Sequence, residues 1–199
     1  MIDTIVFDFG GVLIDWNPEY VYKEIFNDDE KMKWFLSNVC TNEWNLQQDK
    51  GRTFVEGADL LKKTFPEHAE HIDVFYREWP RMIKGEISGT VAILKEVKKK
   101  FKVYGLTNWS AETFPIALER FDFLKLFDGI VVSGVEKMIK PDKAFFQVML
   151  NRYNLTAKHC VFIDDNQLNI AAANEMGFNA IHFSSAENLE KELKARGVL

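Results

Sequence analysis

The sequence predicts an α/β fold: a three-layer core around a parallel sheet, with an all-helical segment inserted after the first strand. Three observations predict it. Short apolar, β-branched runs alternate with helical patterns from Ser88 to the end of the chain. Residues 16 to 87 instead hold apolar residues at helical spacing, with no strand pattern among them. The first strand stops at an acid, Asp8, directly before Phe9-Gly10-Gly11.

Thr4, Ile5, Val6 and Phe7 form an apolar run long enough for a buried strand and too short for a buried helix. Gly10 and Gly11 then let the chain enter a loop that tolerates positive φ. Asp15-Trp16-Asn17-Pro18 starts a helix, with Asn17 as cap and Pro18 in the first turn. Tyr20, Val21, Ile25 and Phe26 recur at helical spacing, as do Met32, Phe35, Leu36 and Val39, and then Phe54, Ala58, Leu61 and Phe65. Thr41 or Asn42 caps a helix between them. Glu67 to Lys84 continues the helical character, with Ile72, Phe75, Tyr76 and Trp79 on one side, so no strand is expected before Gly85.

Ser88 and Gly89 mark the return to the core. An amphipathic helix spans Thr90 to Phe101, and a strand from Lys102 to Leu106 ends at Thr107-Asn108. A helix from Ser110 to Phe121 and a strand from Gly129 to Ser133 follow, and Asp142, after Lys140-Pro141, caps a helix running to Tyr153. Cys160 to Ile163 is a strand ending at Asp164-Asp165. A helix from Gln167 to Met176 stops at Gly177, Ala180 to Phe183 is the last strand, and Glu187 to Arg196 the last helix. Such alternation implies right-handed crossovers and a parallel, mostly buried sheet.

A chain of 199 residues, 47% apolar and 28% charged, suits one globular core plus a small insert. The net charge of -5 and pI near 5.5 argue against nucleic acid or an anionic membrane surface as partner. No basic region followed by an apolar stretch opens the chain, and no run reaches the roughly 20 apolar residues that a bilayer demands. A soluble, cytoplasmic protein, monomeric or weakly dimeric, is expected. Cys40 and Cys160 lack metal or redox spacing and read as reduced core residues. His68, His71, His159 and His182 lack ligand spacing and read as surface or strand-end residues.

Taken alone, Asp8 reads equally well as a polar strand terminator. The other strand ends change that reading. A parallel sheet gathers Asp8, Thr107 with Asn108, Lys140, and Asp164 with Asp165 at one edge, where ligands bind in open α/β folds. Crowded carboxylates repel unless a cation lies between them, and an oxygen-only ligand set suits Mg²⁺. Thr107, the Asn108 amide and Lys140 then face phosphate oxygens from the other side.

FDFGGVL around Asp8, the strand ending at Thr107, Lys140-Pro141 and FIDDNQLN at Asp164-Asp165 together resemble the four motifs of the haloacid dehalogenase-like hydrolases, in order and spacing. The likeness covers essentially the whole chain. It is greatest to small sugar-phosphate phosphatases, including bacterial α-glucose-1-phosphate phosphatases. The resemblance implies a three-layer Rossmann-like core, residues 1–15 and 88–199, and a helical cap, residues 16–87. It implies that Asp8 is a nucleophile forming an aspartyl-phosphate. It further implies Mg²⁺ held by Asp8, the Gly10 carbonyl and Asp165, with Asp164 and Asn169 supporting; Thr107 and the Asn108 amide on the phosphoryl oxygens; and Lys140 neutralising charge. The implied substrate is a small phosphorylated metabolite, a sugar phosphate.

One position departs from that pattern. Such phosphatases usually carry a second aspartate two residues after the nucleophile as general acid, and Gly10 stands there. Either Asp15 or a cap residue such as Asp49 supplies the proton, or the substrate has a leaving group needing little help, as a sugar anomeric oxygen would, or the chemistry is weak or different. The second account is preferred, because the resembling glucose-1-phosphate enzymes also have glycine there. Alternatives to phosphate hydrolysis are 2-haloacid dehalogenation, which the Asp164-Asp165 pair weighs against, and a non-catalytic binding or regulatory module. In the cap, Trp44, Asn45, Gln48 and Arg52 read either as pocket lining or as cap core and solvated face, and Trp109 is open in the same way.

Overall fold

The computed structural model describes all 199 residues. Strand β1 (Thr4–Phe7) leads through a turn to β2 (Ile14–Trp16), after which come α1 (Glu19–Phe26), α2 (Asp29–Asn38), α3 (Asn42–Asp49), α4 (Phe54–Thr64) and α5 (Ala69–Arg77). The chain returns through β3 (Ile83–Glu86) and then alternates: α6 (Ser88–Val97), β4 (Lys102–Thr107), α7 (Phe114–Arg120), β5 (Gly129–Val132), α8 (Ser133–Glu136), α9 (Lys143–Tyr153), β6 (Cys160–Asp164), α10 (Gln167–Glu175), β7 (Asn179–His182) and α11 (Ala186–Ala195).

The core sheet has the order β5-β4-β1-β6-β7, and every pair in it is parallel. β1 is central and buried along its whole length, which is why Thr-Ile-Val-Phe is an apolar run rather than an alternating one. Ile5 and Phe7 pack into a cluster with residues of α6, α7 and α11. Val6 turns to the opposite face, where Phe145, Phe146 and Met149 of α9 and Ile170 and Ala173 of α10 cover it. Helices on both faces of one sheet make the predicted three layers.

Local sequence fixes the element ends. Asn17 Oδ1 accepts the Glu19 N–H at 2.9 Å, Thr41 Oγ1 accepts the Trp44 N–H at 3.1 Å, and Asp142 Oδ1 accepts the Ala144 N–H at 2.9 Å; each satisfies an orphan donor of a first helical turn. Gly177 follows α10 at φ +86°, a conformation that costs glycine little.

The structure corrects the expectation of an all-helical insert. The insert is not purely helical: β2 and β3 pair antiparallel, Ile14 opposite Glu86 and Trp16 opposite Ile83, with a register shift between Asp15 and Trp16. Strands of three and four residues carry too little alternation to register as a period, and pairing with a distant partner is what makes them strands. The apolar cluster of the Ile5 face also continues into the insert through Leu13, Ile14, Ile83, Trp79, Tyr22 and Phe35. Cys40 and Cys160 are free and buried, as the sequence predicts. No helix is long and apolar enough to cross a membrane.

Candidate active site

The register of the sheet sets the site. Phe7 lies opposite Gly105 on one side and Ile163 on the other, and the Asp8 N–H still donates to Ile163 O at 2.9 Å. The ladder thus runs one position past the strand and stands Asp8 beside Asp164, one strand spacing of about 4.8 Å away. Lys140 reaches them from the loop before α9, its side chain fully buried, with Nζ 2.9 Å from Asp8 Oδ1 and 2.7 Å from Asp164 Oδ2. Asp8 Oδ1 also accepts the Phe9 N–H at 2.7 Å. No protein donor takes Asp8 Oδ2, so one oxygen is fixed and the other is free to react or to ligate.

The remaining bonds hold this geometry. Asp164 Oδ1 accepts the Asn166 N–H at 2.8 Å and the Asn169 amide at 3.0 Å. The Asn108 side chain clasps the Lys140 backbone, its Oδ1 accepting the Lys140 N–H at 2.8 Å and its Nδ2 donating to Lys140 O at 3.0 Å. The side chain of Asn108 is therefore a positioning group for the lysine, which leaves its backbone amide as the part available to a ligand. Thr107 Oγ1 is buried without a partner, a hydroxyl donor left over at the end of the strand adjoining β1.

Ligand atoms of Asp8, Asp164 and Asp165 lie within 4.8 Å of one another. Asp165 is exposed as a residue, yet its carboxylate lies against the backbone of the β1–β2 turn: a Cβ on Gly11 would stand 2.3 Å from Asp165 Oδ2. Gly11 has φ +74° as well, so both conformation and close approach exclude a side chain there. Burial, with the neighbouring Asp164 and Asp165 charges, pushes the Asp8 carboxyl up to about 7 against the pull of Lys140. Burial and Asp164 also raise Asp165. Against burial that would strip its proton, Asp164 and Asp8 hold the Lys140 ammonium above its ordinary range. Three carboxylates facing one ammonium leave a formal excess of negative charge. That donor set fits a hard, oxygen-ligated divalent cation, and the Gly10 carbonyl follows Asp8 closely enough in the chain to join it.

The strand-end residues are thus brought together, whereas most of the sequence-predicted cap residues spend their polar groups inside the insert. Trp44 Nε1 donates to Gly57 O at 3.1 Å, and its ring meets Phe75 edge-on at 5.2 Å. Gln48 is fully buried, its amide donating to Trp44 O at 2.7 Å and accepting Arg52 Nε–H at 2.6 Å. Asn45 reaches Asp49 Oδ2 at 3.4 Å. Trp109 is buried and donates to Thr113 Oγ1 at 3.1 Å. Both Asp15 oxygens accept the Tyr20 hydroxyl, at 2.8 and 3.0 Å.

His68 and His71 are not surface residues. They are half-buried among Phe26, Trp34 and Phe35, and the Nδ1 of each is buried without a partner. Sequence reasoning missed Ser133, whose Oγ accepts the Trp109 N–H at 2.8 Å and donates to Asp49 O at 2.5 Å. It also missed Glu112, whose carboxylate accepts the Phe54 N–H at the start of α4 at 2.7 Å. Neither contact had a local signal, because each joins the core to the insert across a long sequence separation.

A family profile described as haloacid dehalogenase-like hydrolase matches residues 2–177. A drimenol cyclase of Aspergillus calidoustus is 24% identical over 97% of this chain, which spans 36% of that protein's length. A sesquiterpene phosphatase of Aspergillus oryzae is 28% identical over 91% of this chain and 89% of its own. A phosphorylated carbohydrates phosphatase of Thermotoga maritima is 23% identical over 91% and 84%. Among solved structures, a haloacid dehalogenase family enzyme of Bacteroides thetaiotaomicron, complexed with magnesium and inorganic phosphate, superposes with a TM-score of 0.70 at 24% identity over 93% of this chain and 96% of that one. A likeness at that identity establishes the fold.

Proposed function

We propose, since the chain belongs to the haloacid dehalogenase-like hydrolases, that it is a Mg²⁺-dependent phosphomonoesterase acting on a small phosphorylated metabolite, a sugar phosphate. The observation that carries the reading is Asp8, with one oxygen pinned by Lys140 and Phe9 N–H and the other free. The free oxygen attacks phosphorus and forms an aspartyl-phosphate, which water then hydrolyses. Thr107 Oγ1 and the Asn108 N–H hold phosphoryl oxygens, and Lys140 balances charge on both nucleophile and phosphoryl group. Asp8, Asp165 and the Gly10 carbonyl would hold Mg²⁺, with Asp164 and Asn169 fixed behind them. When bound, the ion supplies charge neutralisation for the phosphoryl group.

Residues 16–87 act as a cap over the core of residues 1–15 and 88–199, admitting substrate on opening and excluding water on closing. In it, Asn45 offers its amide to the substrate, and Trp44 shapes the pocket by anchoring α3. The half-buried polar side chains of Asn45 and Asp49 on α3 favour a polyol over a terpene chain. The three crowded carboxylates speak against dehalogenation, in which the aspartate attacks carbon without a cation.

The experiment is hydrolysis of p-nitrophenyl phosphate with Mg²⁺ and then with EDTA, followed by a panel of sugar, nucleotide and prenyl phosphates. Metal-dependent release with a preference for sugar phosphates supports the reading. Release that survives EDTA, or no turnover of any ester, contradicts it.

A further inference from the structure

Hydrolysis by Asp8 leaves one proton unassigned. The leaving oxygen departs as an alkoxide unless an acid protonates it, and the residue two positions after Asp8 is Gly10. Two nearby acids are already committed. Asp15 gives both oxygens to the Tyr20 hydroxyl, and Glu112 binds the Phe54 N–H.

Asp49 is different. It closes α3, and the end of that helix is fastened to the two turns that leave β4 and β5. Its carbonyl accepts Ser133 Oγ–H at 2.5 Å, and the same Oγ accepts the Trp109 N–H at 2.8 Å. Gly51, two residues on, packs so closely that a Cβ there would stand 3.1 Å from Gly134 O. The Asp49 carboxyl itself is in reach of the Ser110 backbone N–H, in the turn that begins with Thr107 and Asn108. Because Phe7 lies opposite Gly105, that turn and Asp8 leave adjacent strands, about 4.8 Å apart. An acid of the insert therefore sits over the phosphate-facing turn, on the side away from Asp164 and Asp165.

We infer that Asp49 donates the proton to the leaving oxygen and recovers one from the hydrolytic water. The assignment rests on the aspartyl-phosphate reading above. In the first half-reaction the Asp8 Oδ2–P bond forms as the P–O bond to the leaving group breaks, and the departing electron pair takes the Asp49 proton. In the second, water attacks phosphorus and gives a proton to Asp49, the Asp8–P bond breaks, and phosphate leaves. The environment suits the task. Burial pushes the Asp49 carboxyl up to about 7, against the Ser110 N–H that favours the anion, so an acid is present near neutral pH. The other polar groups facing it are the Asn45 amide on its own helix and the Tyr76 hydroxyl of α5; the Arg52 guanidinium is turned to Gln48 Oε1 and Trp44 O.

The test is a leaving-group series, p-nitrophenyl phosphate against unsubstituted phenyl phosphate, with wild-type protein and Asp49→Asn. Nitrophenolate leaves without protonation and phenolate needs it. In single turnovers with enzyme in excess, Asp49→Asn is expected to lose about 10²-fold or more in phenolate release and only a small part of that in nitrophenolate release, while steady-state kcat on both esters falls with loss of the base for water. In wild-type protein, the single-turnover rate of phenolate release relative to nitrophenolate release is expected to fall above pH 7, a ratio in which the titration of Asp8 shared by the two esters cancels. Equal losses in the two single-turnover rates, in a variant that melts like wild type, overturn the assignment. Should the variant fail to fold, coincident wild-type pH profiles for the two esters overturn it. Persistence of hydrolysis in Asp8→Asn would instead overturn the underlying reading, so the two failures are distinguishable.

Discussion

The carboxyl edge of the sheet and the helical insert above it solve opposite problems. At the edge, charges are buried at close quarters and nearly every one has a named partner: Lys140 between Asp8 and Asp164, Asn169 and Asn166 on Asp164, Asn108 on the lysine backbone. The insert is held by aromatic contact, with Tyr22 5.0 Å from Phe35 and Phe54 stacked on Tyr76 at 3.6 Å. Its buried polar atoms at Tyr76 OH, His68 Nδ1 and His71 Nδ1 go unpaired. Fixed, satisfied charges preorganise chemistry; apolar packing is shape-tolerant and suits selection of the group that the chemistry acts on. Substitutions at the edge are therefore expected to remove turnover, and substitutions of the insert's packed aromatic residues to remove stability.

The largest expected effect is at the edge. Asp8→Asn should reduce kcat on p-nitrophenyl phosphate by about 10⁴-fold or more without lowering the melting temperature, since a buried charge disappears. Next come two substitutions of similar cost and different consequence. Lys140→Met leaves two carboxylates without their cation and should destabilise by about 3–5 kcal/mol and abolish turnover. Phe35→Ala, fully buried in the insert, should also lose about 3–5 kcal/mol to the cavity, yet its folded fraction should hydrolyse p-nitrophenyl phosphate at the wild-type rate. Urea melts and active-site-normalised kcat check both, and loss of chemistry in the folded Phe35 variant would erase the contrast.

Smaller effects sharpen it. Trp44→Phe removes the bond to Gly57 O and should cost about 1 kcal/mol, with turnover near wild type. The smallest lies at neither region. Although burial would raise it, Asp128 is held down to about 2 by Lys98, the Val103 N–H and Lys102. A depressed carboxyl contributes stability above its unfolded value near 4 and loses it as pH falls toward 2. Asp128→Asn should therefore lie about 1 kcal/mol below wild type at pH 6 and draw closer to it by pH 3, as urea midpoints would show.

What could be read in the sequence was what is local in the chain. Asp8 before Phe-Gly-Gly, Asp164-Asp165 after Val-Phe-Ile and Lys140 before Pro141 each announce a strand end or loop, and the parallel sheet then collects them without further information. The β2–β3 ribbon was not legible, because Ile14–Trp16 is a strand only through Ile83–Glu86. Neither was α8, four residues without a side-chain cap. Trp44 could not be assigned to pocket or packing because both give the same helical period, and its bond to Gly57 decides the position of its indole. The Asn108 side chain, spent on the Lys140 backbone, shows how a polar residue beside a site can serve the site through another residue.

The central claim is that carboxylates from the two ends of the chain share one divalent ion. Calorimetric titration of Mg²⁺ into wild-type protein, Asp8→Asn and Asp165→Asn at pH 8 tests it directly. One saturable site in wild type, weakened about tenfold or more in each variant, is the predicted result; no saturable binding in wild type, or binding unchanged in both variants, would contradict it.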